Sequence, residues 1–162
     1  MCRLIQQPSA TPWIEQLLTF SNPERDPRGR IMTLAHLTSQ VLDLVKPGPD
    51  GREPIIIDVD FKTSQCFYEG RALTAEDFAF DHYEIVTTSI QRIQGRMKWN
   101  PTFLNLLCQP FNIYTATELV NVISPDKKIV HNNFLSKYGE FVEEVGEERW
   151  SKRKPRRSYP SL

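Results

Sequence analysis

The alternation of apolar and polar positions in the first half of the chain predicts short β-strands. Residues 13–20 read as one strand, and residues 31 to about 39 read as the next, after a loop rich in turn formers. Residues 1–12 show no clear period, and their prolines exclude a helix. We therefore expect regular structure to begin at about residue 13.

Two further strand signals follow before residue 75. The β-branched run at 55–59 predicts a short strand. Residues 66–68 and 71–73 are separated by the turn pair Glu69-Gly70, which predicts a hairpin. Strands are therefore expected up to about residue 73.

The period then changes to that of a helix. Asp81 and Glu84 form the capping-box pattern that opens a helix, and Gly95 stands where that helix would end. The apolar positions that share one helical face are Tyr83, Val86, Ile90, Ile93 and Met97. The sequence predicts a helix over about 81–95.

Three shorter helices are predicted in the rest of the chain. Pro101 fits the first position of one helix. Thr115 and Glu118 form a second capping box, which opens a helix that ends before Pro125. The third helix is expected over 129–138, with Phe134 on its buried face.

Residues 141–145 and 156–159 are predicted to pair as two strands around a charged turn segment. The resulting order of helix, helix, turn, helix and hairpin is that of a winged helix-turn-helix. In such a module the helix at 129–138 would lie in a DNA major groove and the hairpin would touch phosphate.

Charge is distributed unevenly, although the formal net charge is zero. An acidic block at 140–148 precedes a basic block at 149–157. Basic runs of this kind give salt-dependent contacts to phosphate. The competing interpretation is a solvated tail that binds no partner. The residues predicted to contact double-stranded DNA are His131, Asn132, Asn133, Lys137, Lys152, Arg153, Lys154, Arg156 and Arg157.

The loop at 25–30 holds three arginines around Asp26 and Gly29. Arg25, Arg28 and Arg30 suit a phosphate or carboxylate ligand through charge-assisted hydrogen bonds. The competing interpretation is a surface turn in which Asp26 pairs with an arginine.

Composition and cysteine usage limit the function classes. The chain of 162 residues is 40% hydrophobic and 25% charged, as in ordinary globular proteins. Its three cysteines lack metal-ligand spacing, and its histidines are scattered, so we predict free thiols, no metal site and no cofactor. No apolar run approaches the length of a membrane span, and we predict a cytoplasmic protein that does not bind membranes.

The acidic segment at 140–146 is similar to the glutamate-rich end of a Nudix box, where carboxylates hold Mg²⁺ against a pyrophosphate. The match fails because Gly139 and Glu147 stand where an arginine and an apolar residue are required, and His131 and Pro125 stand at the upstream glutamate and glycine positions. We interpret the segment as a solvated acidic hairpin.

Several segments resemble, in the same order, the Nudix-related transcriptional regulators of NAD metabolism (the NrtR type). Residues 13–30, with their Arg-Asp-Pro-Arg element, resemble the strand–loop–strand that follows the Nudix box, and the Phe-Asp-His at 80–82 resembles the start of the last Nudix helix. Residues 114–119, 133–134 and 154–159 resemble the C-terminal winged helix of those regulators.

The resemblance implies an α+β chain in two parts. Residues 1–95 would form a partial Nudix-like mixed β-sheet domain, with strands at about 13–73 and its last helix at about 81–95. Residues 96–162 would form a winged helix-turn-helix that binds DNA. It also implies an ADP-ribose or related nucleotide as effector, and a homodimer through the Nudix-like domain.

The resemblance begins after the position of the Nudix box, so the first strands and the catalytic helix of the family have no counterpart here. It therefore implies an N-terminally truncated, catalytically inactive domain, and we predict that the protein is not an enzyme. The alternative is a fragment of a Nudix hydrolase that acts on nucleoside-diphosphate sugars such as ADP-ribose. A truncated sheet would also leave an open edge, which favours strand sharing between copies.

Overall fold

The computed structural model describes residues 2–6, 13–41, 47–49, 51 and 53–148, and within these ranges the chain is a mixture of strands and helices. The strands are β1 Cys2–Gln6, β2 Trp13–Phe20, β3 Thr33–Ser39, β4 Asp58–Asp60, β5 Gln65–Tyr68, β6 Arg71–Ala72, β7 Phe111–Asn112 and β8 Glu143–Glu148. The helices are α1 His82–Arg96, α2 Ile113–Ile123 and α3 Phe134–Tyr138.

The strands form three antiparallel sheets, ordered β7-β1-β8, β2-β3 and β4-β5-β6. The prediction that residues 1–12 lack an element is wrong, because β1 is the central strand of the first sheet. Leu4 pairs with Asn112 on one side and with Gly146 on the other. The start of the chain is therefore built into the same sheet as its C-terminal half.

The predicted strands at 13–20 and 31–39 form the β2–β3 hairpin, although β3 begins at Thr33. A bulge interrupts the pairing between Gln16 and Leu18. One face of this hairpin is buried against Ile85 of α1, through Leu17, Phe20 and Ala35. Other apolar side chains of the hairpin stay exposed to solvent, namely Ile14, Leu18 and Leu34.

The strand predicted at 55–59 is displaced towards the C-terminus. Ile55 and Ile56 are exposed, and the residues that pair with β5 are Asp58–Asp60. The β-branched run misled the prediction because strand formation depends on ladder partners as well as on residue type. The β5–β6 hairpin is confirmed, and Glu69 and Gly70 both have positive φ (50° and 80°), as a two-residue type I′ turn requires.

The long helix predicted at 81–95 is confirmed as α1, which ends one residue later, at Arg96. Its buried side includes Ile90, which packs with Cys66 and Leu73 beneath the third sheet. The side chain of Asp81 makes no capping hydrogen bond. That part of the capping-box prediction is wrong because Arg25 binds the Asp81 carboxylate instead.

The largest core cluster among the described residues lies in the C-terminal half, where α2 lies against the first sheet and α3 shares its core with α2. A 3₁₀ turn, Thr102–Leu106, replaces the short helix predicted at Pro101. The residues buried in this cluster are Met97, Phe103, Leu104, Phe111, Ile113, Ala116, Val120, Ile123, Phe134 and Tyr138. Burial raises the pKa of the Tyr138 phenol.

Helix α2 begins earlier than predicted. Asn112 is its N-cap, and the Asn112 Oδ1 atom accepts a hydrogen bond from the backbone N–H of Thr115 at 2.8 Å. The prediction that Thr115 itself caps the helix is therefore wrong. An asparagine with extended backbone is a preferred N-cap, because its side-chain oxygen satisfies an N–H group of the first turn that has no partner within the helix.

The helix predicted over 129–138 is shorter in the structure. A 3₁₀ turn, His131–Asn133, precedes α3, and Ile129 remains outside any helix. Asn121 explains this start: its Oδ1 accepts from the Ile129 N–H at 2.8 Å, and its Nδ2 donates to the Ile129 carbonyl at 3.0 Å. Both backbone groups of Ile129 are thus taken by a side chain, so a helix cannot use them.

The acidic segment predicted at 141–145 forms a strand, β8, which begins at Glu143 and pairs with β1. Its predicted hairpin partner, residues 156–159, lies outside the described residues. Cys66 and Cys108 are free, as predicted, and Cys66 is buried, which raises the pKa of its thiol.

Candidate functional site

Helices α2 and α3 and the turn between them form the first candidate site. Their inner sides meet in one core, since Val120 and Ile123 of α2 are buried together with Phe134 and Tyr138 of α3. The turn contains the 3₁₀ segment Pro125–Lys127 and is held by the Asn121–Ile129 hydrogen bonds. The packing fixes which side of α3 faces solvent.

The structure brings four of the predicted DNA-contacting residues to that solvent side: His131, Asn132, Asn133 and Lys137 are all exposed. The His131 ring stacks on Tyr114 of α2, with centroids 4.5 Å apart and planes inclined by 34°. The Lys137 ammonium lies 5.6 Å from the centroid of the Tyr138 ring. These contacts restrain His131 and Lys137 and leave the two amides turned to solvent.

The remaining predicted DNA contacts are in the C-terminal basic run. Lys152, Arg153, Lys154, Arg156 and Arg157 lie outside the described residues.

The arginine loop forms a second site at the start of α1. Arg25 makes a two-pronged ion pair with Asp81, in which Nε and Nη2 each lie 2.6 Å from a carboxylate oxygen. The side chain of Arg25 is 3% exposed and that of Asp81 is 15% exposed. The Arg25 guanidinium lowers the pKa of Asp81.

Asp26 and Arg28 form the second pair in this loop. The Asp26 carboxylate accepts from Arg28 Nε at 2.9 Å and from Nη2 at 2.6 Å, and these bonds lower the pKa of Asp26 to about 2. The Arg28 guanidinium lies 5.0 Å from the centroid of the Phe80 ring. Phe80 has a φ of 54°, a strained conformation for a bulky residue, and it directly precedes Asp81.

The Arg-Asp-Pro-Arg and Phe-Asp-His elements are therefore joined in space. Arg25 and Arg28 are engaged within the protein, and an anion would have to compete with Asp81 to reach Arg25. Arg28 and Arg30 are exposed. The ligand role of the three arginines stays a prediction. The structure shows that Arg25 joins the loop to the start of α1 and that Asp26 binds Arg28 within the loop.

The outer face of α1 forms a third candidate site, which the sequence interpretation missed. A groove of about 480 Å³ is lined there by Thr88, Gln91, Arg92, Gly95, Arg96 and Trp99. The helical spacing of Arg92, Arg96 and Trp99 is the sequence signal that could have indicated it. Beneath it, Glu15 pairs with Arg96, while Glu15 Oε1 is buried without a hydrogen-bond partner in the described part of the chain.

A second cavity, of about 570 Å³, lies between the third sheet and α1. Its walls are apolar and include Ile57, Leu73 and Phe78. At its edge Arg71 pairs with Asp77 at 2.8 Å, which lowers the pKa of Asp77 to about 2. Arg71 and Asp77 are the charged residues that line this cavity, and their opposite charges give its lining no net charge.

The acidic segment that is similar to the end of a Nudix box forms no metal-binding group in the described part of the chain. Glu140, Glu143 and Glu144 are exposed. Among residues 2–6, 13–41 and 53–148, no three acidic, histidine or cysteine side chains are grouped closely enough to hold a metal ion. No helix within the described ranges is long and apolar enough to cross a membrane.

Comparison with known proteins supports a Nudix-like fold. No family model and no curated protein matches the chain. Among solved structures, the chain is similar to the crystal structure of a MutT/nudix family protein from Enterococcus faecalis, with 28% sequence identity and a TM-score of 0.63. The match covers 83% of this chain and 57% of the other, so the chain spans little more than half the length of that neighbour.

Proposed function

We propose that this protein is a DNA-binding transcription regulator with a catalytically inactive Nudix-like domain. The observation that carries the proposal is the exposed polar surface of His131, Asn132, Asn133 and Lys137, on α3 and the 3₁₀ turn before it, while the other side of α3 packs in one core with α2. That arrangement fits a winged helix-turn-helix, in which α3 and the turn before it would enter the major groove.

The chemistry of this surface suits duplex DNA. The Asn132 and Asn133 amides can each donate and accept, which is the pattern needed to read an adenine edge. Lys137 supplies a point charge for phosphate, and the basic run at 152–157 would add further phosphate contacts. The first sheet would carry the wing, with β8 as one of its strands.

The Nudix-like half would receive an effector of the ADP-ribose type. Arg28 and Arg30 offer exposed guanidinium groups for its phosphates. The same half would form a homodimer, because the β2–β3 hairpin exposes the apolar side chains of Ile14, Leu18 and Leu34. Apolar side chains on an open two-stranded sheet favour pairing with a second copy.

The proposal is tested by selecting sequences from a random duplex pool with the wild-type protein. A Lys137→Ala variant is then compared with Lys62→Ala, a matched removal of an exposed lysine in the β4–β5 turn. We expect Lys137→Ala to weaken binding to every selected duplex by a similar factor and Lys62→Ala to leave it unchanged. Failure to enrich any duplex, or equal effects of the two variants, would contradict the proposed interface.

A Nudix-type hydrolase acting on nucleoside-diphosphate sugars is the second candidate. The similarity to a MutT/nudix family protein is the observation in its favour. It predicts Mg²⁺-dependent release of AMP from ADP-ribose that is lost in Glu143→Gln. Release of AMP by the wild type and not by that variant would replace the regulator proposal with this one.

A further inference from the structure

The outer face of α1 combines an exposed aromatic ring with two cations. Residues three, four, seven and eight apart along a helix share one face, so Arg92, Gly95, Arg96 and Trp99 lie along one side of α1 and the turn after it. Together with Thr88 and Gln91 they line the groove of about 480 Å³. This volume is within the range of small-molecule sites, about 300–1,000 Å³.

Trp99 is the aromatic element and is 74% exposed. Its indole N–H donates to the carbonyl oxygen of Gly95 at 2.9 Å, which fixes one edge of the ring against the last turn of the helix. Gly95 has open space where a Cβ would be, so no side chain rises between the ring and the arginines. A held, exposed indole is a stacking platform for a planar base.

The two arginines are anchored from below. Arg92 Nη2 donates to the Leu17 carbonyl at 2.7 Å, and Arg96 Nη1 pairs with Glu15 Oε2. A guanidinium has five N–H donors, and each of these contacts engages one guanidinium nitrogen. One glutamate against two arginines leaves the face with an excess positive charge, which suits phosphate.

The spacing of these groups indicates the size of the ligand. At 1.5 Å per residue, Arg96 lies about 4.5 Å and Arg92 about 10.5 Å along the axis from Trp99. A nucleoside diphosphate has a base at one end and two phosphates at increasing distance from it. We propose that this face binds a nucleoside diphosphate, with the base on Trp99 and the phosphates at Arg96 and Arg92.

A protein partner fits this face less well. An interface core needs several apolar anchors, and the groove has one, Trp99, among polar residues. The site is separate from the arginine loop and from α3. It does not rest on the proposed function, which places the phosphates of the effector at Arg28 and Arg30.

Calorimetric titration of the full chain with ADP tests the site, with adenosine and inorganic pyrophosphate as partial ligands. We expect one saturable ADP site and weaker binding of both partial ligands, because each lacks one half of the contacts. Trp99→Leu should weaken ADP binding by roughly tenfold or more, and Trp99→Phe by less, since stacking on a phenyl ring persists. Arg92→Gln should weaken ADP binding and leave adenosine binding unchanged.

Lys98→Gln is the matched control, because Lys98 is an exposed neighbouring cation outside the groove lining. It should change ADP affinity by less than about twofold, as expected for a screened surface charge. Trp99 is exposed, so its replacement should leave the melting temperature of the protein unchanged.

Two results would overturn the site: no saturable binding up to about 10 mM ADP, the limit of a weak site, or wild-type affinity in both Trp99→Leu and Arg92→Gln. A dimer that dissociates in Trp99→Leu while ADP affinity is unchanged would assign the face to a subunit interface instead. Duplex binding, measured in parallel, separates the two proposals: DNA binding without ADP binding contradicts this site alone.

Discussion

Arg25 and Asp81 are 56 positions apart in the sequence and form a buried two-pronged ion pair in the structure. The sequence indicated Arg25 as a ligand residue and Asp81 as a helix cap, because each role is common for its residue type in its local context. Neither the arginine loop nor the capping-box pattern indicates that these two side chains lie close together in the fold. Asp26 and Arg28 are two positions apart, so the sequence itself indicates their pairing as an alternative to ligand binding.

Asp81→Asn should destabilise the protein. Asparagine keeps the shape of the side chain but removes the charge, which leaves the Arg25 guanidinium buried beside a neutral partner. Loss of one member of a buried pair is strongly unfavourable, and we expect the melting temperature to fall by about 5 °C or more. Asp58→Asn, at an exposed strand residue, is the control, and equal melting temperatures of the two variants would contradict a structural role for the pair.

Asp26 should make stability depend on pH at the acid end. The Arg28 hydrogen bonds lower its pKa from 3.8 to about 2 in the folded protein. A lowered pKa in the folded state stabilises the fold above the unfolded-state pKa, and this contribution is lost as the pH falls from about 4 to about 2. Urea unfolding across this range should show wild type converging on Asp26→Asn at low pH. A constant difference between the two proteins would argue against the Asp26–Arg28 pair.

At the scale of elements, local patterns predicted those elements whose signals are local. The apolar face of α1, the Glu69-Gly70 turn and the alternation in β2 were sufficient, because each follows from neighbouring residues. The sequence did not indicate β1, since a strand five residues long is stabilised by partners more than a hundred positions away. The start of α3 was misplaced because a distant side chain, Asn121, binds the backbone of Ile129.

Phe134→Ala tests whether α3 depends on the core of the C-terminal half. Phe134 is fully buried, and its ring lies 5.2 Å from that of Tyr138. We expect the free energy of unfolding to fall by about 3–5 kcal/mol, as for other buried phenylalanines. Val130→Ala, at a side chain that is 60% exposed, should cost less than about 0.5 kcal/mol. Chemical denaturation of both variants makes the comparison, and similar values would mean that α3 is not fixed by this packing.

At the scale of the whole molecule, β1 connects the two halves that the sequence divides at about residue 95. It pairs with β7 and β8 in the C-terminal sheet, whereas the next strand along the chain, β2, packs on α1. The C-terminal sheet therefore takes its central strand from the other end of the chain. A structural change at the N-terminal end of the chain would therefore also affect the C-terminal sheet.

Leu4→Pro should disrupt the C-terminal sheet. Leu4 is in the middle of the central strand, and proline would remove a ladder hydrogen bond there at a cost of about 3 kcal/mol or more. Leu4→Ala keeps the backbone N–H and is the matched control. We expect faster amide hydrogen exchange at Phe111 and Glu144 in Leu4→Pro than in Leu4→Ala. Unchanged protection in both variants would show that β1 is dispensable for this sheet.

The central claim is that this protein binds duplex DNA through its C-terminal half. The most direct test is the equilibrium affinity of the wild-type protein for a duplex, measured by fluorescence anisotropy as the salt concentration rises. Phosphate contacts through the basic residues should lower the affinity by about tenfold or more between roughly 50 and 200 mM salt. No binding at the lowest salt concentration, or an affinity that does not change with salt, would contradict the claim.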